Sequence, residues 1–284
     1  MKRAAWIRLG ALALAVGGVW IALTQQQPPA DLTVEKIADD LHVLIGSGGN
    51  VAVYTTDEGV ILVDDKFEQN YPQILAKVKS LTDKPIRYVL NTHQHGDHTG
   101  GNAKMLAASV EILAHENARA NMIRNKQPGP PRIAFADEVS VTLGGKTVQA
   151  RHFGAGHTNG DAVMYFPALR VVHTGDLFVR GSPFIDYDNG GSSDAWMKTI
   201  DGILTLDFDT VIPGHGAVSK RADLIAWKAD FEKLRSRVRE MTRQGKSRGE
   251  VATLLKVDDL PGWTMGGLFA KSLPALYDEM ARSR

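Results

Sequence analysis

The chain has 284 residues, 43% hydrophobic and 23% charged, with 33 basic against 32 acidic side chains and no cysteine. This is a globular composition, long enough to bury one large core or two modest ones, and it excludes disulfides, cysteine nucleophiles, lipid attachment through cysteine and thiolate metal ligands. Lys2, Arg3 and Arg8 precede any acid, so the remainder holds 30 basic and 32 acidic groups, a formal −2 that argues against bulk electrostatic binding to nucleic acid.

Those three cations stand before an apolar run at 9–23, followed by the polar Thr24-Gln25-Gln26-Gln27. Charged, apolar, then polar is the layout of a secretory signal, and the run is short for a spanning helix. No small-x-small cleavage site follows it, which keeps an uncleaved anchor open, with the positive end in the cytoplasm and the body sent across. We therefore expect a signal peptide or N-terminal membrane anchor at 1–24, a linker at 25–32 and one domain at 33–284. The expected location is periplasmic or exported, the anchored form being held to the inner membrane by 9–23.

Strand-like runs at 41–45, 51–55 and 60–63 follow, separated by Gly-rich or acidic turns, with Gly46-Ser47-Gly48-Gly49 as a hairpin loop between the first two. Residues 71–81 set Ile74, Leu75, Val78 and Leu81 at helical spacing ahead of a strand at 86–90. A helix at 103–108, a strand at 110–113 and a helix at 116–125 come next, and 127–131 breaks the pattern with three prolines. The second half repeats the order of types: strands at 139–143, 146–151, 162–166 and 169–173, a helix at 194–206 and a short strand at 210–212. A long charged helix at 222–244 carries Leu224, Trp227, Phe231, Leu234 and Val238 on one stripe, which reads as core packing. Helices at 247–255 and 265–282, with Pro261 between, close the chain. Two such halves predict an α/β protein with two sheets packed together and helices outside.

Directly after the 86–90 strand, His93-Gln94-His95-Gly96-Asp97-His98 packs three imidazoles and a carboxylate into six residues. Such density at a strand end is costly unless something pairs the groups, and a divalent metal would pair them all. Downstream lie His157, Asp176 and His215, each beside a glycine and each where a strand meets a loop, the usual place from which a rigid scaffold presents catalytic groups. Imidazole suits zinc, iron or copper, and added carboxylates favour zinc, iron or manganese. Four-coordinate zinc needs only three protein ligands when water fills the open place, so seven candidates divide into three, three and one shared.

His93-x-His95-x-Asp97-His98 with His157, Asp176 and His215 resembles the full motif set of the metallo-β-lactamase-fold superfamily, over 60–216, and the order of elements agrees from about residue 33. The resemblance implies a four-layer αββα sandwich. It implies that His93, His95 and His157 hold a first metal, Asp97, His98 and His215 a second, and that Asp176 bridges them. Asp64, ending the 60–63 strand, resembles the family's early Asp, which supports the site from behind the ligands. Two Zn2+ per chain are expected, iron or manganese also suiting the donors, with a shared hydroxide that attacks a carbonyl while Asp97 orients it and later moves a proton.

Within that superfamily, the lack of cysteine excludes the lactamase subclasses that use a Cys ligand. The Cys-free subclass usually lacks a bridging carboxylate, so Asp176 makes the chain resemble the hydroxyacylglutathione thioesterases, lactonases and tRNA-processing nucleases. Nothing after Gly216 resembles the basic glutathione-binding segment of the thioesterases. Quorum-quenching lactonases place a Tyr where this chain has Leu177, Phe178 and Val179, and His95 stands where flavo-diiron oxidoreductases carry Glu. The near-neutral body and the export signal disfavour the nucleases. The expectation is an exported dinuclear zinc hydrolase of a small-molecule carbonyl compound, a β-lactam or lactone, with at least weak β-lactamase activity and no nucleic-acid or protein partner. The alternatives are a thioester hydrolase of the hydroxyacylglutathione hydrolase type and a mononuclear iron sulfur oxidoreductase.

Substrate-binding residues are not assigned by the sequence. Phe184, Tyr187 and 188–193 read equally as a pocket wall or an exposed turn, and Asp65 reads as a turn residue. His42, His115, His152 and His173 read as structural histidines, His173 being placed for a hydrogen bond near Asp176.

Overall fold

The computed structural model describes residues 31–282, so the signal or anchor at 1–24 and most of the expected linker lie outside the described residues. Among the described residues no helix is long and apolar enough to cross a membrane. The first half runs β1 (Thr33–Lys36), β2 (Leu41–Ile45), β3 (Val51–Thr55), β4 (Val60–Val63), α1 (Tyr71–Leu81), β5 (Ile86–Leu90), α2 (Gly96–Thr99), α3 (Asn102–Ala107), β6 (Glu111–His115), α4 (Glu116–Arg124) and β7 (Ile133–Phe135). The second runs β8 (Glu138–Leu143), β9 (Lys146–Arg151), β10 (Val163–Phe166), β11 (Val171–His173), α5 (Ser193–Ile203), β12 (Thr210–Ile212), β13 (Ser219–Lys220), α6 (Arg221–Arg243), α7 (Arg248–Leu254) and α8 (Gly267–Arg282).

Strands β1 to β7 form one sheet in chain order, and the other sheet is ordered β13-β12-β11-β10-β9-β8. The first sheet is antiparallel up to β4 and parallel from β4 to β7; the second is antiparallel except for the β11–β12 pair. Strand periodicity explains the layering. In β3 and β4, Ala52, Tyr54, Ile61 and Val63 point between the sheets against Met164 and Phe166 of β10. Their alternates Val51, Val53, Val60 and Leu62 point outward onto Ile74 and Val78 of α1 and Met105 of α3. On the far side, Val163 and Tyr165 of β10 face Trp196 of α5 and the α6 stripe Leu224, Trp227, Phe231, Leu234 and Val238. Strands buried on both faces need apolar residues at every position, as these have. The result is the αββα sandwich.

Five elements depart from the expected pattern. β1 is exposed throughout and carries no alternation to read; pairing with β2 alone defines it. β7 and β13 are three and two residues long, set by their neighbours' hydrogen bonds. α2 is a single turn made of the His/Asp cluster itself. Pro167–Leu169 forms a 3₁₀ turn and Arg170 adopts a left-handed φ of 54°, so β11 starts at Val171, two residues after the expected start. The C-terminal ends of β4, β5, β11 and β12 open on one rim, where ligand sites of open α/β sheets form.

Candidate metal centre

The rim is assembled from loops that leave these strand ends. Past β5, the Asn91 N–H donates to the Leu113 carbonyl (2.8 Å) and the Thr92 N–H to Asp64 Oδ1 (2.8 Å), which fix the chain at the bend that presents His93. α2 then presents Asp97 and His98, with the His98 N–H bonded to the His95 carbonyl at 2.9 Å and the His98 ring 4.2 Å from that of His93. His157 enters from the β9–β10 connection, Asp176 from the 3₁₀ turn Gly175–Leu177 after β11, and His215 from the loop after β12. Gly214 has no room for a side chain, since an added Cβ would stand 2.0 Å from Asp176 Oδ1.

All seven expected ligands come together, in two groups: His93, His95, His157 and Asp176, and beside them Asp97, His98 and His215. Within each group the donor atoms lie within 4.8 Å of one another. Asp176 faces both, Oδ2 lying 3.6 Å from His157 Nε2 and Oδ1 3.2 Å from His98 Nε2 and 3.4 Å from His215 Nε2. Asp97 Oδ2 is 3.2 Å from His215 Nε2.

The outward hydrogen bonds decide where the ring protons sit. His157 Nδ1 meets the Phe184 carbonyl at 2.7 Å, and a carbonyl only accepts. His95 Nε2 meets Asp186 Oδ2 at 2.8 Å. Thr92 Oγ1 gives its proton to Asp64 Oδ2, so it accepts from His93 Nδ1 at 3.1 Å. His98 Nδ1 lies 2.7 Å from Asp64 Oδ2. Each ring therefore carries an outward proton, and in His93, His95 and His157 the inward nitrogen is a lone pair. Three such lone pairs converge, His95 Nδ1 lying 3.1 Å from His93 Nε2 and 2.8 Å from His157 Nε2. These are hydrogen-bond distances with no proton to share. The buried Oδ1 of Asp176 stands between the imidazoles of His98 and His215. Inward lone pairs backed by outward acceptors are what a divalent cation requires of its ligands, and the residues fit a dinuclear site.

Electrostatics agree. Burial first, then the neighbouring imidazoles, holds His93 well below the ordinary range and His157 down to about 4, so both imidazoles are neutral. Around the second group the side chains alone must keep a proton. Burial lowers His98, but Asp176, Asp64 and Asp97 raise it well above its ordinary value. Burial likewise lowers His215, which Asp176 and Asp97 bring up to about 9. Burial pushes the Asp97 carboxyl up, and His98 and His215 bring it down to about 2. Metal binding at this group would displace protons.

Asp64 stands behind His98 and Thr92, its Oδ2 2.7 Å from His98 Nδ1 and accepting from Thr92 Oγ1 at 2.8 Å. Asp65 does not behave as an exposed turn residue: it is fully buried and accepts from the Gly101 N–H at 2.9 Å, because the chain after β4 dives under α2. Lys66, which the sequence did not single out, is also fully buried, and its ammonium donates to the Gly49 carbonyl at 2.6 Å, pinning the β2–β3 loop against His98. Asp186 went unread as well; the one available signal was its place among the residues after Asp176. Phe184 lines the cleft, whereas the Tyr187 hydroxyl turns to Glu279 at 2.6 Å. His173 accepts from the Gly175 N–H at 3.1 Å and supports the Asp176 turn. His42, His115 and His152 belong to neither group, and His115 stacks on His152 at 3.8 Å.

Over the donors opens a cleft of about 670 Å³ walled by Phe67, Val179, Arg180, Phe184, Leu268 and Phe269. Its far wall, 262–269, belongs to the segment between α7 and α8 and the start of α8.

Residues 44–215 match the family described as the metallo-beta-lactamase superfamily. The chain is 28% identical over 183 residues to the 2,4-dinitroanisole O-demethylase subunit alpha of Nocardioides, covering 62% of this chain and 54% of that protein, about half its length. It is 23% identical over 202 residues to the metallo-beta-lactamase type 2 of Bacteroides fragilis, covering 66% of this chain and 80% of that protein. A solved mono-zinc form of the metallo-beta-lactamase FIM-1 from Pseudomonas aeruginosa shares the fold, with a TM-score of 0.64 at 21% identity, over 73% of this chain and 97% of that one.

Proposed function

The chain belongs to the metallo-beta-lactamase superfamily and is a metal-dependent hydrolase, and from that premise we propose that it uses two zinc ions to open a cyclic amide or ester, a β-lactam or a lactone, with at least weak β-lactamase activity. The observation that carries this reading is the seven-donor centre gathered beneath an open, largely apolar cleft. His93, His95, His157 and Asp176 would hold one ion and Asp97, His98, His215 and Asp176 the other. The donor set suits zinc, with iron or manganese next, and zinc is the metal of the FIM-1 relative. Bound zinc supplies Lewis acidity and a water whose pKa falls to about 7.

The chain's own residues do the rest. Asp97 is ionised at neutral pH and partly exposed toward the cleft, where it orients the attacking water and takes up a proton that the leaving group needs. Asp64 and Asp186 fix the tautomers of His98 and His95. Phe67, Phe184 and Leu268 shield the reacting carbonyl from bulk water and hold the non-reacting part of a small molecule. Residues 1–24 read as an export signal or anchor, which would put this chemistry in the periplasm, on small carbonyl compounds rather than nucleic acid.

Purified protein loaded with zinc is expected to contain two ions per chain and to open a cephalosporin, a lactone or both. Failure on both, with cleavage of acyl thioesters in the same panel, would replace the substrate reading by a thioesterase. One iron per chain in place of two zincs would favour the sulfur oxidoreductase.

A further inference from the structure

α8 lies beyond the residues that the family matches, 44–215, yet two of its buried side chains grip the segment that orients the first metal group. That segment carries the Phe184 carbonyl on His157 Nδ1 and the Asp186 carboxylate on His95 Nε2. Between them, the Ile185 N–H donates to Ser272 Oγ at 2.9 Å and the Ile185 carbonyl accepts from the same hydroxyl at 3.2 Å. Just past Asp186, Glu279 accepts from the Tyr187 hydroxyl at 2.6 Å, from Ser192 Oγ at 2.6 Å and from Ser193 Oγ at 2.5 Å. It also accepts the N–H groups of Ser193 at 3.1 Å and Asp194 at 3.3 Å, an acid at the start of α5. Ser272 is 2% and Glu279 8% exposed, so water competes little for these bonds. The rest of that α8 face, Phe269, Leu273, Leu276 and Met280, packs in the layer that holds Ile185 and Leu177.

We propose that Ser272 and Glu279 are positioning residues for the first metal group, holding the Phe184 carbonyl on His157 and the Asp186 carboxylate on His95 so that both rings turn a lone pair inward. The proposal rests on the metal-centre reading above. With the segment released, either imidazole can rotate or take the other tautomer, and the first group loses donors while Asp97, His98 and His215, which α8 does not touch through this segment, keep theirs. Partners that orient a ligating histidine are worth on the order of 10- to 100-fold in metal affinity, and a contact one step further back belongs at the lower end.

The test uses the full chain stripped of metal and titrated with Co2+. In a His215→Ala background, which disables the second group, Ser272→Ala and Glu279→Gln should each weaken Co2+ binding about tenfold. In a His157→Ala background, which disables the first, the same substitutions should leave the affinity within about twofold. Nitrogen–proton NMR of the metal-free chain should show His157 protonated at Nδ1, with the second tautomer appearing in the variants, and Glu279→Asp should restore part of the effect. Equal weakening in both backgrounds, or unchanged affinity and tautomer, would overturn the proposal. A parent chain that binds no Co2+ would instead overturn the metal-centre reading, leaving the tautomer comparison to decide the positioning role. If Glu279→Gln does not fold, Ser272→Ala decides alone.

Discussion

Gly49 touches the imidazole of His98 so closely that an added Cβ would stand 2.2 Å from its Cε1. Its backbone is held on both sides, the N–H by the Asp97 carbonyl at 2.9 Å and the carbonyl by Lys66. Gly49→Ala must push His98 aside, and we expect metal affinity at the second group to fall at least about tenfold while far-ultraviolet circular dichroism stays that of the parent. Unchanged metal stoichiometry under limiting zinc would contradict this. His115 presents a different residue-level case. It caps α4 by accepting from the Asn117 N–H at 3.3 Å, and burial, then His152, holds its imidazole down to about 4. The unfolded chain binds that proton near 6.5, so the contribution to stability is intact above about 6.5 and is lost as pH falls toward about 4. His115→Asn keeps a capping oxygen and cannot titrate. Its loss of thermal stability between about pH 7.5 and about pH 5 should be smaller than the parent's by on the order of 1 kcal/mol; equal losses would refute the assignment.

Among the elements, the stripe on α6 makes the sharpest contrast. Phe231 is fully buried, in edge contact with Trp196 at 5.2 Å and near Trp227 at 5.4 Å, while Ile225 on the same helix is 48% exposed. Phe231→Ala should cost about 3–5 kcal/mol, and Ile225→Ala should stay within about 0.5 kcal/mol, both read by denaturant unfolding of the metal-loaded protein. Comparable losses from the two would mean that α6 is not docked as described. This stripe was legible in the sequence because a 3.6-residue period survives the surrounding charge, and β2, β3, β4 and α1 were legible at their ends because apolar runs stop at Gly or acidic turns. β1, β7 and β13 were not, since short or exposed strands have no hydrophobic pattern of their own and exist through a partner's hydrogen bonds.

For the whole molecule, the long-range closure of the site is what binding should report. Donors from His93 to His215 are brought together by the two sheets, and the converging lone pairs of His93, His95 and His157 repel until a cation lies among them. Metal removal should therefore destabilise the native state by mass action: zinc held at 100 times its dissociation constant contributes about 2.7 kcal/mol. The melting temperature should drop on adding a chelator and return on adding zinc; a chelator-insensitive melt would count against a native-state site. The sequence by itself determined the seven candidate donors, the apolar core strands and two packed sheets with helices outside, because donor chemistry and apolar runs are local properties written residue by residue. Only the tertiary structure decided the tautomers, the burial of Asp65 and Lys66, the part of Asp186, and the grip of Ser272 and Glu279 on the segment that backs His157 and His95. Those depend on which groups meet across tens of residues, and no local pattern encodes a hydrogen bond between chain positions that only the packing of two sheets and their helices brings within 3 Å.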